Sequence, residues 1–218
     1  MLDLALRLLG AYLLGSLNGA LLIGRFKGVD IRSQGSGNAG GTNALRTQGW
    51  MFALGVIVID VLKAVIAVRV LPTVVTAPAM PIEWLAAGCG FAAVVGHVYP
   101  IFHGFRGGKG VATVLGTLLA LSLPLLLGAL AVWLTMMMLF GYVGLGSMVA
   151  AAALPLLAQW AGKLGFVAPA AVMPLTVFGV VCAVFVVWTH RSNVARMRAG
   201  TEPRARKLWL LGRLARRQ

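Results

Sequence analysis

The sequence predicts an all-α fold, a polytopic transmembrane helical bundle, on three observations. Sixty per cent of the 218 residues are hydrophobic and eleven per cent are charged, against about 45–50% and about 25% in soluble domains. The apolar residues gather in long runs whose lengths bracket the ~20 residues a helix needs to cross hydrocarbon. The basic residues collect in the connections between those runs, on alternate sides of the chain's path, as membrane topology places them.

The runs lie at residues 4–24, 50–71, 84–102, 111–123, 125–143, 147–161 and 168–189. The fourth and sixth are short. Pro124 and the segment Gly141 to Gly146 (GYVGLG) split the long apolar stretch after Thr113, since Pro and Gly punctuate helices. The expectation is seven spans, with five spans plus re-entrant segments as the competing count. The first run carries Asp3 and Arg7 and has no clear cleavage site after it, so it reads as a retained span rather than a signal peptide. Apolar segments and short connections leave no room for a separate soluble domain. One transmembrane domain over residues 1–203 is expected, followed by a basic tail over 204–218.

Arg25, Lys27, Arg32 and Arg46 mark the first connection, Arg106 and Lys109 the third, and Arg191, Arg196 and Arg198 the segment after the last span. The second, from Pro72 to Glu83, has no basic residue and three prolines. Seven spans put all the basic connections in the cytoplasm and the N-terminus outside it. A net charge of +14 is therefore assigned to topology and not to nucleic acid, although basic groups beside anionic head groups also suit anionic substrates. Cys89 and Cys182 sit in separate apolar runs without metal-ligand spacing and read as small packing residues. The tail RARKLWLLGRLARRQ interleaves basic residues with Leu208, Trp209, Leu211 and Leu214. It reads equally as an interfacial helix on an anionic leaflet or as a frayed basic end.

Three polar islands interrupt the apolar plan. The first, GSGNAGGTNALR from Gly35 to Arg46, combines Gly35 and Gly37 with Ser36, Asn38, Thr42, Asn43 and Arg46. Flexible backbone, neutral hydrogen-bonding groups and one fork-shaped cation suit a polyhydroxy phosphate, although an ordinary loop also favours Gly, Ser and Asn. The second, GGKGVAT, places Lys109 among Gly107, Gly108 and Gly110, just before Thr113. Glycines let N–H groups converge on an anion and lysine adds a point charge. This is not a nucleotide P-loop, because Lys109 is followed by Gly110 rather than Ser or Thr, and His103 stands where the first glycine belongs. Five acidic residues in the whole chain give a hydrolytic metal centre little support. Neither a metal nor a cofactor is expected.

His97 precedes the second island and reads as a supporting group, and His103 as exposed or structural. Inside the second run Asp60 and Lys63 are one helical turn apart and can pair within the bundle, supporting the first island from below. The third island, HRSNVARMRAGTE from His190 to Glu202, sets His190 and Asn193 three residues apart. On a continuing helix both occupy one face. Membrane anchoring accounts for the arginines from Arg198 onward but gives no reason for an imidazole and a carboxamide together.

In this order and between these spans, the three islands closely resemble the motifs of the bacterial acyl-phosphate glycerol-3-phosphate acyltransferase family. The second motif extends over GHVYPIFHGFRGGKGVAT from Gly96 to Thr113. The resemblance implies transfer of a fatty acyl group from acyl phosphate to the 1-hydroxyl of sn-glycerol 3-phosphate, giving lysophosphatidate and inorganic phosphate in phospholipid synthesis. It also implies a multi-pass protein of the bacterial inner membrane, with no cofactor, the N-terminus periplasmic, and the active site and C-terminus cytoplasmic. Ser36, Arg46, Lys109, His190 and Asn193 are its implied acting residues. The arginine-rich tail has no counterpart in the family pattern.

The residues make this chemistry workable on their own terms. An acyl phosphate is already an activated carboxyl, so no covalent nucleophile is required. What remains is positioning two anions and stabilising charge on the carbonyl oxygen. A transporter of phosphorylated solutes is the rival reading, but it calls for polar groups continuing toward the outer face, where the spans offer little beyond Arg69. A non-catalytic lipid-binding scaffold is the third.

Overall fold

The computed structural model describes residues 2–74, 80–205 and 208–214. Thr76, in the second connection, and residues 206–207 and 215–218 of the basic tail lie outside the described residues. The chain forms two compact units, Met1–Ser122 and Leu123–Gln218, with helices and no strand among the described residues.

The first unit contains α1 (Leu2–Gly15), α2 (Gly19–Phe26), α3 (Gly41–Thr47), α4 (Trp50–Arg69), α5 (Ile82–Val98) and α6 (Val111–Leu121), with single 3-10 turns at Ile31–Ser33, Leu71–Thr73 and Ile101–His103. In lipid no hydrophobic force drives helix against helix, so close approach of small residues must do it. Here α1 and α5 meet at paired glycines: a Cβ on Gly15 would fall 2.2 Å from the Ala93 carbonyl oxygen, and one on Gly96 2.1 Å from that of Tyr12. Along the α4 and α6 contact Gly116 does the same, its would-be Cβ 2.4 Å from the Val61 carbonyl. Arg7 is buried in α1 because Asp3 accepts from its Nε at 3.0 Å and the Pro72 carbonyl accepts from its Nη1.

The second unit contains α7 (Leu123–Phe140), α8 (Val143–Lys163), α9 (Pro169–Thr189), α10 (Arg191–Arg198) and α11 (Leu210–Leu214). Gly141 ends α7 in the left-handed region at φ 75°, a conformation that glycine adopts without penalty. Gly179 of α9 packs on the backbone of α8 at Leu154 and Pro155. Leu127, Leu130 and Leu134 of α7 stay exposed, as a lipid-facing surface allows.

The helix lengths do not confirm the expected count of seven spans. By length and composition five helices among the described residues can cross a membrane: Trp50–Thr73, Ile82–His103, Leu123–Phe140, Val143–Lys163 and Pro169–Thr189. A sixth arises if α1 and α2, bent by 47°, count as one span. The remaining expected span, the fourth run, is α6, whose 11 residues reach only about 16 Å at ~1.5 Å per residue, against ~30 Å of hydrocarbon. The run at 147–161, read as short, is the core of a 21-residue helix, because Gly144 and Gly146 continue α8 instead of ending the previous turn.

The bend between α1 and α2 explains the charges inside α4. Asn18 caps α2, its Oδ1 accepting from the N–H groups of Ala20 and Leu21 at 3.1 and 3.2 Å. A break within the membrane leaves further backbone groups to satisfy. Asp60 Oδ1 accepts from Gly19 N–H at 3.1 Å, and Lys63 Nζ donates to the Leu17 carbonyl at 3.1 Å.

Candidate active site

Below the first two islands lies a buried polar network. Lys63 Nζ stands 2.8 Å from Asp60 Oδ1, and His97 Nδ1 lies 3.2 Å from the same oxygen and 3.0 Å from Lys63 Nζ. All three residues are at most 4% exposed. His97 is thus a buried support beneath the second island: a Cβ on Gly108 would fall 2.1 Å from His97 Nε2 and 2.6 Å from the Ala39 carbonyl. Asn18 Nδ2 donates to that same carbonyl at 3.1 Å, so the bend in the first helix pair is tied to the first island.

Within the first island Asn43 is the hub. Its Oδ1 accepts from Ser36 N–H at 2.9 Å, and its Nδ2 donates to the Ile31 and Gln34 carbonyls at 3.1 and 3.0 Å. Gly35 and Gly37 turn the backbone around it at φ 56° and 71°, which side chains rarely tolerate. The loop so fixed leaves Ser36, Thr42 and Arg46 exposed and Asn38 half-buried, while Asn43 itself is buried. Arg32 then joins the first island to the turn before the second, donating to the His103 and Arg106 carbonyls at 3.0 and 3.3 Å while paired with Asp30. That guanidinium holds the Asp30 carboxyl below the usual carboxylate range, mainly through its side-chain hydrogen bonds.

The second island is built differently from the expected cradle. Gly107 and Gly108 donate their N–H groups inward, to the Val98 and His97 carbonyls at 3.0 and 3.1 Å. Their lack of side chain is a packing requirement against the end of α5. The anion-binding capacity falls instead to the start of α6. Gly110, at φ 87°, precedes the helix, and Val114 N–H makes the first intrahelical bond, to Gly110, at 2.8 Å. The N–H groups of Val111, Ala112 and Thr113 therefore have no partner within the helix. Half-buried Lys109 stands immediately ahead of them. Thr113 is fully buried, and its Oγ1 has no hydrogen-bond partner among the described residues.

The third island belongs to the second unit. The helix does not continue through it: α9 stops at Thr189, and His190 is the joint before α10. His190 and Asn193 remain close because Asn193 N–H donates to the His190 carbonyl at 2.8 Å. His190 Nδ1 lies 2.8 Å from the Val186 carbonyl, an acceptor only. Nδ1 thus carries the proton, and in the neutral ring Nε2 carries the lone pair. Asn193 Nδ2 donates to Glu202 Oε1 at 2.7 Å, and Arg196 Nε to Glu202 Oε2 at 2.6 Å. Glu202 therefore holds the Asn193 amide by its Nδ2.

Three of these positions were not recognisable as site residues in the sequence. Asn18 was hidden inside the first apolar run, where the polar pair Ser16 and Asn18 beside Gly19 was the available signal. Arg32 looked like a topology charge. Glu202 closed the third motif, and its rarity, one of five acidic residues, was the clue.

Known proteins share this arrangement of sequence and fold. The family model described as glycerol-3-phosphate acyltransferase matches residues 5–200. The chain is 45% identical over 195 residues to the glycerol-3-phosphate acyltransferase of Geobacter sulfurreducens, covering 89% of this chain and 93% of that one. The Thermus thermophilus protein of the same name is 44% identical over 199 residues, covering 90% and 92%. Two crystal structures of PlsY (YgiH), an integral membrane glycerol 3-phosphate acyltransferase, share the fold. Its glycerol 3-phosphate form matches at TM-score 0.75 and 34% identity, and its lysophosphatidic acid form at 0.76 and 33%, each over 92% of this chain and 94% of that one. Matched over residues 5–200 and sharing the fold of these structures, the chain belongs to the PlsY-type glycerol-3-phosphate acyltransferase family of integral membrane proteins.

Proposed function

We propose that this protein moves a fatty acyl group from acyl phosphate to the 1-hydroxyl of sn-glycerol 3-phosphate, releasing lysophosphatidate and inorganic phosphate. The observation that carries the reading is the start of α6, where N–H groups without intrahelical partners follow Lys109. A helix start of this kind binds a small phosphate, and the second motif has nothing resembling a nucleotide site for a coenzyme thioester. The relative's glycerol 3-phosphate and lysophosphatidic acid forms agree with the acceptor and the product.

The hydroxyl oxygen of glycerol 3-phosphate attacks the acyl carbon, a new ester bond forms, and the bond from acyl carbon to phosphate oxygen breaks. Lys109 and the α6 N–H groups stabilise the leaving phosphate and the charge on the carbonyl oxygen. Ser36, Asn38, Thr42 and Arg46 line the exposed side of the first island and take the polar head of a substrate, held in shape by Asn43, Gly35 and Gly37. His97 supports the second island from beneath at Gly108, and Gly107 packs that island on the end of α5. His190 and Asn193 orient glycerol 3-phosphate. The hydroxyl proton passes to the phosphate of the donor, which is a dianion at neutral pH and leaves as hydrogen phosphate. The domain spans residues 1–203 in the bacterial inner membrane, with the basic islands and C-terminus cytoplasmic and the N-terminus periplasmic, as the charge distribution favours.

Purified protein in lipid nanodiscs, given acyl phosphate and glycerol 3-phosphate, should release lysophosphatidate and phosphate in equal amounts. Acyl-CoA should be a poor donor. Lys109→Ala should lower kcat by on the order of 100-fold, as loss of a charge-stabilising group does, with thermal stability little changed. Comparable turnover of acyl-CoA would overturn the donor assignment, and near-normal Lys109→Ala activity would remove Lys109 from the site.

A further inference from the structure

The family match ends at residue 200, and the second unit shows what the next residues do. From Thr201 to Ala205 the chain forms a strap with two attachments, the second shared with Trp209. The first is Glu202, 7% exposed, which accepts from Asn193 Nδ2 and Arg196 Nε at 2.7 and 2.6 Å. The second is the turn between α7 and α8. There Ala205 N–H donates to the Gly141 carbonyl at 2.8 Å and Trp209 Nε1 to the Leu139 carbonyl at 3.0 Å. The Arg204 guanidinium lies 4.0 Å from the Trp209 ring centroid and 4.6 Å from that of Tyr142, within cation-π range of both.

The turn is shaped to receive the strap. A Cβ on Gly141 would fall 2.9 Å from Trp209 Cβ, so a larger residue would push the indole off. The same turn meets the third island: a Cβ on Gly144 would fall 2.8 Å from Asn193 Nδ2. Asn193 is thus held against the first turn of α8 on one side and by Glu202 on the other. The strap that carries Glu202 is itself pinned one short step away, at Tyr142 and Gly141.

We propose that Arg204 and Trp209 form a clasp that fixes the strap, holds Glu202 against Asn193, and so positions Asn193 for glycerol 3-phosphate. The proposal deepens the reading of Asn193 given above and rests on it. Arg204 and Trp209 are positioning residues, acting only through Glu202 and the α7 and α8 turn. Their side chains combine a planar cation, two aromatic faces and an indole donor. An unattached basic tail would use none of these together.

The test uses the full chain in nanodiscs, with Arg204→Ala, Trp209→Ala and the conservative Arg204→Lys. A nitroxide placed at the exposed position Ala195 of α10, in a background lacking Cys89 and Cys182, reports motion of the third island without reference to activity. Both alanine variants should sharpen the nitroxide line shape and raise KM for glycerol 3-phosphate about fivefold, an effect of ~1 kcal/mol. KM for acyl phosphate and kcat should stay within about twofold, and Arg204→Lys, which keeps a cation over the rings, should recover most of the loss. An unchanged line shape in both alanine variants would overturn the clasp. A sharpened line shape with unchanged KM would overturn the positioning role. If Asn193→Ala also left that KM unchanged, the fault would lie in the assignment of Asn193 to glycerol 3-phosphate.

Discussion

At the scale of single residues, the sharpest question is where the acceptor's proton goes. His190 is buried, with Nδ1 at 2.8 Å from a carbonyl, so its Nε2 can accept a hydrogen bond from a hydroxyl. Accepting that bond serves orientation as well as it serves proton removal. The donor's phosphate dianion is a second base of suitable strength, and it travels with the reacting carbon. Under the phosphate route, His190→Gln keeps measurable turnover with a raised KM for glycerol 3-phosphate. Its activity should still fall on the acid side, where the donor's dianion takes up one proton and becomes the monoanion. The check is the pH profile of kcat in wild type and variant. Loss of the acid limb on substitution, with KM fixed, would assign the proton to His190.

At the scale of elements, the bend between α1 and α2 shows what composition reveals and what it conceals. Long apolar runs announce α4, α5, α7, α8 and α9, because burial in lipid demands nearly continuous apolar sequence. The same continuity hides breaks. Ser16 and Asn18 sit within an apolar run, and only the structure shows Asn18 capping α2 while Asp60 and Lys63 satisfy the backbone around it. Asn43 was legible as a polar motif residue, but its hub role was not, since hydrogen bonds to Ile31, Gln34 and Ser36 depend on a folded loop. The α4 pair gives a test. Lys63→Met leaves the buried Asp60 carboxylate with only His97 and the Gly19 N–H beside it and should cost about 3–5 kcal/mol, as loss of one partner of a buried ion pair does. Adding Asp60→Leu should not restore stability, although replacing a buried ion pair by apolar residues is often neutral. Here the Gly19 N–H and the Leu17 carbonyl would lose their partners within the bilayer. Thermal unfolding in detergent measures both, and a double variant as stable as wild type would show that the pair is not needed at the bend.

At the scale of the whole molecule, the open point is how the chain crosses the membrane between the second and third islands. Four helices, α6 to α9, lie between them in sequence, and three of these pass the length test for a span. If α6 turned back, an odd number of crossings would separate the second island from the third, and Arg191, Arg196 and Arg198 would face away from the cytoplasm. That arrangement opposes the positive-inside tendency, which acts on Lys and Arg close to span ends. The prediction is therefore that α6, though only 11 residues long, carries the chain across, with non-helical flanking residues and local bilayer thinning sharing a shortfall of about 14 Å, which at fractions of a kcal/mol per Å costs several kcal/mol in all. Single cysteines replace Ser36, Arg106 and Thr201, all exposed, in a background without Cys89 and Cys182. In intact cells a membrane-impermeant maleimide should leave all three unlabelled, and in inverted vesicles it should label all three. A cysteine at Thr76, in the connection that has no basic residue, should show the reverse pattern. Labelling of Thr201→Cys from outside, with Arg106→Cys protected, would mean that α6 is re-entrant and that the three islands cannot serve one cytoplasmic reaction.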